Sequence, residues 1–170
     1  MPPKLGRHRV VLLGIGHTNA YVLRKWKMRR LQNAELICVS NFPVATYSGM
    51  LPGVLARQYS VEEMQIDLVR LCESAGARLI VGDVTGWDRE MRELQFANRP
   101  PLAYDWLSIG VGSRPTQADV SIESGANWVA IKPMQTMLAR LEKSVSRVAA
   151  SHANNEPPAE TSERQVSMKR

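Results

Sequence analysis

The stretch Val10–Asn41 reads VVLLGIGHTNAYVLRKWKMRRLQNAELICVSN, and its interpretation decides the fold. Val10–Leu13 is unbroken apolar, the pattern of a strand covered on both faces of a parallel sheet. Gly14 and Gly16 follow as a tight turn, with His17, Thr18 and Asn19 at the start of a helix. The helix directs Val22, Leu23, Trp26 and Leu31 inward and the intervening basic residues outward. Glu35–Ser40 then supplies a second parallel strand. The spacing therefore predicts a strand–turn–helix–strand unit.

A turn of this kind, after a buried strand and before a helix, suits the pyrophosphate of a dinucleotide. Gly14 permits the sharp turn, and Gly16 places no Cβ between backbone and phosphate. The free N–H groups and positive dipole end of the helix point at the anion. The third glycine position of the motif holds Asn19, which predicts slightly looser packing of helix on strand. The acidic residue that ordinarily ends the second strand and takes the ribose hydroxyls is absent. Ser40 and Asn41 stand there and offer single hydrogen bonds, while Glu35 lies at the wrong end of the strand.

Outward from this unit, Asn41–Tyr59 is punctuated by Pro43, Gly49, Pro52 and Gly53 and reads as an irregular loop. Its apolar residues, Phe42, Tyr47, Met50 and Leu51, indicate packing on a ligand or on the core. Ser60-Val-Glu-Glu63 is a capping box that predicts a helix from Ser60, with Met64, Leu68, Leu71 and Cys72 as its apolar stripe and Gly76 as its stop. Short strands are expected at Arg78–Val81, Val84–Asp88, Glu93–Ala97 and Tyr104–Val111, the middle two forming a hairpin around Arg89–Arg92. Residues 116–130 show no periodicity. Pro133 suits a first helical turn, and Met134, Met137, Leu138, Leu141, Val145 and Val148 recur at helical spacing after it. From 151 to 170 the chain is polar and is expected to be a disordered tail or linker.

With 170 residues and 44% hydrophobic content, the chain has material for one well-packed domain, assigned to residues 1–150. The net charge of +6 is concentrated in Arg24, Lys25, Lys27, Arg29 and Arg30, and in the tail. A solvated helix face accounts for that cluster, and contact with an anionic partner is the sharper alternative. No nucleic-acid motif accompanies it. Cys38 and Cys72 form neither a CxxC nor a metal-ligand spacing and read as buried thiols of a reducing compartment, so the cytoplasm is the expected location. No segment approaches the roughly 20 apolar residues of a membrane span.

Several motifs then occur together in one order: the GxGxxN turn, YSGMLPG (Tyr47–Gly53), LSIGVGSRP (Leu107–Pro115) and AIKPMQTMLARLE (Ala130–Glu142). Over residues 9–148 the chain resembles the FAD-dependent pyridine nucleotide-disulfide oxidoreductases. It is most similar to the NADH-dehydrogenase-like branch often fused to selenide, water dikinase. The resemblance implies an α/β fold, a Rossmann-like FAD-binding domain with a parallel sheet, flanking helices and a small β-meander crossover, incomplete at its C-terminus. It implies that Gly14, Gly16, Thr18 and Asn19 hold the FAD pyrophosphate; from their own places in the chain, His17 is expected to position phosphate or cap the helix, and Ser40 and Asn41 to meet the ribose. Tyr47, Ser48 and Gly49 would run beside the flavin, Asp83 and Val84 would pass the adenine, and Gly110, Gly112 and Ser113 would form the second glycine motif. Lys132 matches a position near the flavin.

The redox-active Cys-x4-Cys pair of the disulfide reductases is absent, which fits a branch passing electrons from NAD(P)H through flavin to an acceptor such as a quinone. A second GxGxxG and the later Gly-Asp segment are also missing, so the chain reads as an N-terminal portion that carries no catalytic residue of its own and meets NAD(P)H only in a full-length enzyme. Partners implied are missing C-terminal domains, a selenide, water dikinase domain, a membrane surface reached through a quinone, and copies pairing at an exposed sheet edge. A non-catalytic nucleotide-binding module using NAD(P) is the alternative function.

Overall fold

Val10–Leu13 is apolar at every position because both faces of its strand are covered. In the computed structural model, which describes residues 7–113 and 129–153, β1 (His8–Leu13) turns Leu12 to one core and Val11 to another. The chain divides into two compact units, Met1–Pro115 and Thr116–Arg170.

In the first unit β1 is followed by α1 (His17–Met28), β2 (Ala34–Ser40), β3 (Val44–Thr46), α2 (Leu51–Leu55), β4 (Gln65–Asp67), α3 (Leu68–Ala75) and β5 (Arg78–Val81). Then come β6 (Val84–Asp88), β7 (Glu93–Phe96), β8 (Leu102–Ala103) and β9 (Trp106–Ile109). Four strands form a parallel sheet in the order β5-β2-β1-β9. One face is covered by α1 and α3, where Leu12, Leu36 and Cys38 meet Leu23, Trp26, Leu68 and Cys72. The other is covered by the antiparallel meander β6-β7-β8, where Val11, Ile37, Val39 and Ile80 meet Leu94 and Leu102. The period-2 alternation of each strand thus serves two cores.

The α/β reading and the meander crossover hold, and the structure corrects several details. Leu31, expected inward, is 59% exposed: α1 stops at Met28 and Arg29 is already extended, so Leu31 has left the helical register. The helix expected from Ser60 begins at Leu68 instead. The capping-box bonds do form, Ser60 N to Glu63 Oε2 (2.7 Å) and Glu63 N to Ser60 Oγ (3.2 Å), but they close only a turn. Met64 is buried there and its carbonyl accepts from Tyr47 N (2.9 Å), which draws Gln65–Asp67 into an antiparallel pair with β3. Asp67 is the true cap, accepting from Arg70 N (3.0 Å). Asp67→Ala should therefore destabilise the domain by about 1 kcal/mol, and Ser60→Ala by less, in urea melts.

The loop expected over Asn41–Tyr59 holds β3, a 3-10 turn at Ser48–Met50 and α2. The strand expected over Tyr104–Val111 is confined to β9, with β8 preceding it.

In the second unit a 3-10 turn, Met134–Thr136, leads into α4 (Met137–Ala153). Its inward stripe includes Met137 and Ser144, whereas Val145, expected inward, is 59% exposed. Residues 116–128 and the expected tail beyond Ala153 lie outside the described residues.

Cys38 and Cys72 are free, buried thiols, as their apolar settings implied. Hydrogen bonding to Cys72, together with burial, pushes the Cys38 thiol well above the ordinary thiol range. A thiol-specific reagent should titrate neither cysteine in the native protein and both after denaturation.

Candidate functional site

In a parallel sheet all strands deliver their carboxyl ends to one side, where open α/β sheets hold ligands. Here that side carries Gly14 after β1, Ser40 and Asn41 after β2, Gly82 and Asp83 after β5, and Gly110 after β9. The strand order reverses at β1, which places the glycine turn at the switch point.

Gly14 has φ +76°, and a Cβ there would lie 2.7 Å from the Gly110 carbonyl oxygen. Gly110 N in turn donates to the Leu13 carbonyl at 2.7 Å. A Cβ on Gly16 would lie 3.2 Å from the same Gly110 oxygen. The first and second glycine motifs are therefore in backbone contact and form one surface without side chains.

Gly16 is the N-cap of α1, and among the described residues no side chain caps that end of the helix. The first intrahelical bond is Ala20 N to Gly16 O (2.9 Å), so the N–H groups of His17, Thr18 and Asn19 precede the ladder. The first turn carries no acid, and Lys25 and Lys27 occupy the last. This charge distribution leaves the positive end of the helix uncompensated. Gly16, His17 and Thr18 are exposed. Asn19, expected among the residues that hold the pyrophosphate, turns its side chain inward instead. It is completely buried, donating from Nδ2 to the Gly14 carbonyl (2.6 Å) and accepting at Oδ1 from Ser108 Oγ (2.8 Å). It therefore supports the turn from beneath and is not exposed to a ligand.

Tyr47 reaches the same end of the sheet. Its ring meets that of His17 edge-on at 5.0 Å, so the loop after β3 borders the glycine turn. Gly49 lies under that ring, since a Cβ there would stand 2.9 Å from Tyr47 Cζ. Ser48 is exposed at the start of the 3-10 turn. Ser40 Oγ accepts from Phe42 N (3.2 Å), closing the bend after β2, and Asn41 is exposed. Asp83 is exposed, whereas Val84 is half-buried and packs on the meander core. Gly112 has φ +75° with open space around it, and Ser113 is exposed.

Lys132 belongs to the second unit, where its carbonyl accepts from Arg140 Nη1 (3.1 Å). Arg140 also bonds the carbonyls of Pro133 (2.8 Å) and Thr136 (3.3 Å), a clamp on this segment that the sequence reading did not anticipate. Ser108 was missed as well, although a hydroxyl inside the apolar strand Trp106–Ile109 was a signal that something polar faces it.

A cavity of about 340 Å³ lies at the opposite end of the sheet, lined by Trp26, Arg30, Glu35 and Gly76 among others. Its lining carries Arg7 and Arg30 beside Glu35, and it lies away from the glycine turn. Among the described residues no group of three or more His, Cys, Asp or Glu is placed to hold a metal, and no helix is long and apolar enough to cross a membrane.

This architecture recurs in solved structures. The sulfide:quinone oxidoreductase of the hyperthermophilic bacterium Aquifex aeolicus superposes with a TM-score of 0.65 at 17% identity over 84% of this chain. NDH2 from Plasmodium falciparum, solved in complex with RYL-552, gives 0.68 at 17% identity over 89% of it. The chain shares their fold. Putidaredoxin reductase, in its covalent complex with putidaredoxin, matches at 0.56 with 19% identity over 68%. The chain spans 32%, 31% and 28% of the lengths of these three proteins respectively. No family model matches the sequence, and no curated protein matches it.

Proposed function

We propose that this chain is the FAD-binding portion of an NAD(P)H-dependent flavoprotein oxidoreductase of the NADH-dehydrogenase-like kind. The observation that carries the reading is the side-chain-free surface of Gly14, Gly16 and Gly110 beneath the uncapped start of α1. A Cβ at any of the three would press on the backbone or on Asn19, so glycine lets the two turns meet closely, and the amides and helix dipole there favour a doubly charged pyrophosphate. Likeness in fold to several oxidoreductases supports it.

In this reading the amides of Gly16, His17 and Thr18 bind the pyrophosphate, Asn19 supports the turn from beneath, and Ser40 and Asn41 face the adenosine ribose. Tyr47, Ser48 and Gly49 border the flavin, Val84 and Asp83 border the adenine, and Gly110, Gly112 and Ser113 form the far wall. Bound FAD supplies hydride acceptance from NAD(P)H at the flavin ring. The residues here hold, orient and shield it, and none of them moves a proton. The NAD(P)H site and later domains, a selenide, water dikinase domain among the candidates, complete the enzyme. A quinone acceptor would bring the assembly to a membrane surface. The two free buried thiols suit a reducing cytoplasm.

The test is reconstitution. Protein incubated with FAD and desalted should remain yellow, with absorbance near ~450 nm. FAD at 100 times its Kd should stabilise the fold by about 2.7 kcal/mol. A colourless preparation stabilised by NAD(P) instead would replace this reading with a non-catalytic nucleotide-binding module.

A further inference from the structure

Asn19 is a carboxamide in a place where the helix packs directly on the strand, and it is 0% exposed. Its neighbours account for all of its polar atoms. Nδ2 donates to the Gly14 carbonyl at 2.6 Å and lies 3.5 Å from the Leu13 carbonyl, while Oδ1 accepts from Ser108 Oγ at 2.8 Å. The fit is close on the β9 side too, since a Cβ on Gly110 would stand 2.7 Å from Nδ2.

A trans peptide points its C=O and the following N–H in opposite directions. Holding the Gly14 carbonyl on Asn19 therefore aims the Ile15 N–H away from Asn19. A flip of this one peptide would reverse that polarity and present a carbonyl oxygen to the ligand. Glycine at position 14, with φ +76°, adds no side chain to resist such a flip.

We propose that Asn19 and Ser108 are positioning residues that fix the polarity of the Gly14–Ile15 peptide, so that the turn presents donors and selects an anion. Ser108 acts through Asn19: its hydroxyl occupies Oδ1 and thereby directs the amide NH2 toward the Gly14 carbonyl. The pair touches no ligand. This inference rests on the pyrophosphate reading of the turn, and it assigns to a side-chain pair the registration of helix on strand that a third glycine achieves by close packing.

The experiment compares Ser108→Ala, Ser108→Thr, Asn19→Ala and Asn19→Asp with the parent chain, using ADP and FAD as probes and 15N amide spectra as the second readout. Ser108→Ala should weaken ADP and FAD binding about tenfold and, by leaving the buried Asn19 Oδ1 without its donor, lower the melting temperature by several degrees, and Ser108→Thr should restore binding and stability. Asn19→Asp should lose binding more severely, because its carboxylate faces two carbonyl oxygens and adds negative charge beneath the turn. Asn19→Ala that binds ADP as tightly as the parent would overturn the proposal. If the parent binds neither ADP nor FAD, the pyrophosphate reading fails, and the amide spectra of the free protein still decide the positioning role. There Ser108→Ala should shift the Ile15 and Gly110 resonances and Ser108→Thr return them, and unshifted resonances would refute it.

Discussion

Gly14→Ala is expected to lower the melting temperature by 10 °C or more and to abolish FAD binding. Two costs add at that position. The left-handed backbone, φ +76°, disfavours any side chain by about 1 kcal/mol. The new methyl carbon would also lie 2.7–2.8 Å from the Gly110 oxygen, the Gly110 carbon and Val111 Cα. All three are backbone atoms, so relief requires β9 to move away from β1 and breaks the 2.7 Å bond from Gly110 N to the Leu13 carbonyl. A combined loss of about 3 kcal/mol is reasonable for strain plus a displaced strand, and each kcal/mol is worth roughly 4–8 °C in a domain of this size. Gly112→Ala is the control. It shares the positive φ, +75°, but meets nothing within 4 Å, so only the first cost of about 1 kcal/mol applies. Equal melting temperatures for the two variants would show that the two glycine motifs do not touch as described.

The second large effect concerns the meander. Leu94→Ala should destabilise the domain by about 3 kcal/mol, measured as a lower urea midpoint with unchanged slope. Leu94 is 0% exposed and packs with Leu102, Val11, Ile37, Val39 and Ile80, so truncation opens a cavity between meander and sheet. Leu31→Ala, on a residue 59% exposed beyond the end of α1, should change the midpoint little. A meander that merely crossed over the sheet without sealing it would give both variants the same midpoint.

Much of this architecture was legible in the sequence because it is written in local patterns. Val10–Leu13 and Glu35–Ser40 declare buried parallel strands, Gly14 and Gly16 declare the turn, and the charged tip at Arg89–Arg92 declares a hairpin. What failed were elements decided by partners remote in sequence. Ser60 and Glu63 satisfy each other as a capping box should, but the pairing of Gln65–Asp67 with Val44–Thr46 outweighs helical continuation. Leu31 keeps helical spacing on paper after the helix has ended. At the site, the glycine positions were readable from their conformational demands. The inward turn of Asn19 was not, because it depends on Ser108, 89 residues away. The contact of His17 with Tyr47 was hidden for the same reason.

The place of β9 beside β1 also bears on the order in which the molecule assembles. The βαβ unit from His8 to Ser40 is formed by near neighbours and closes short loops. Its other flank waits for a strand whose first anchoring bonds join Arg9 to Asp105, 96 residues along the chain. Such distant closures are slow because chain entropy must be lost before contacts repay it. During synthesis, the ribosome therefore releases the turn well before its back wall exists. Cofactor capture should lag behind secondary structure in refolding, with far-ultraviolet circular dichroism recovering first and flavin fluorescence quenching following only when β9 docks.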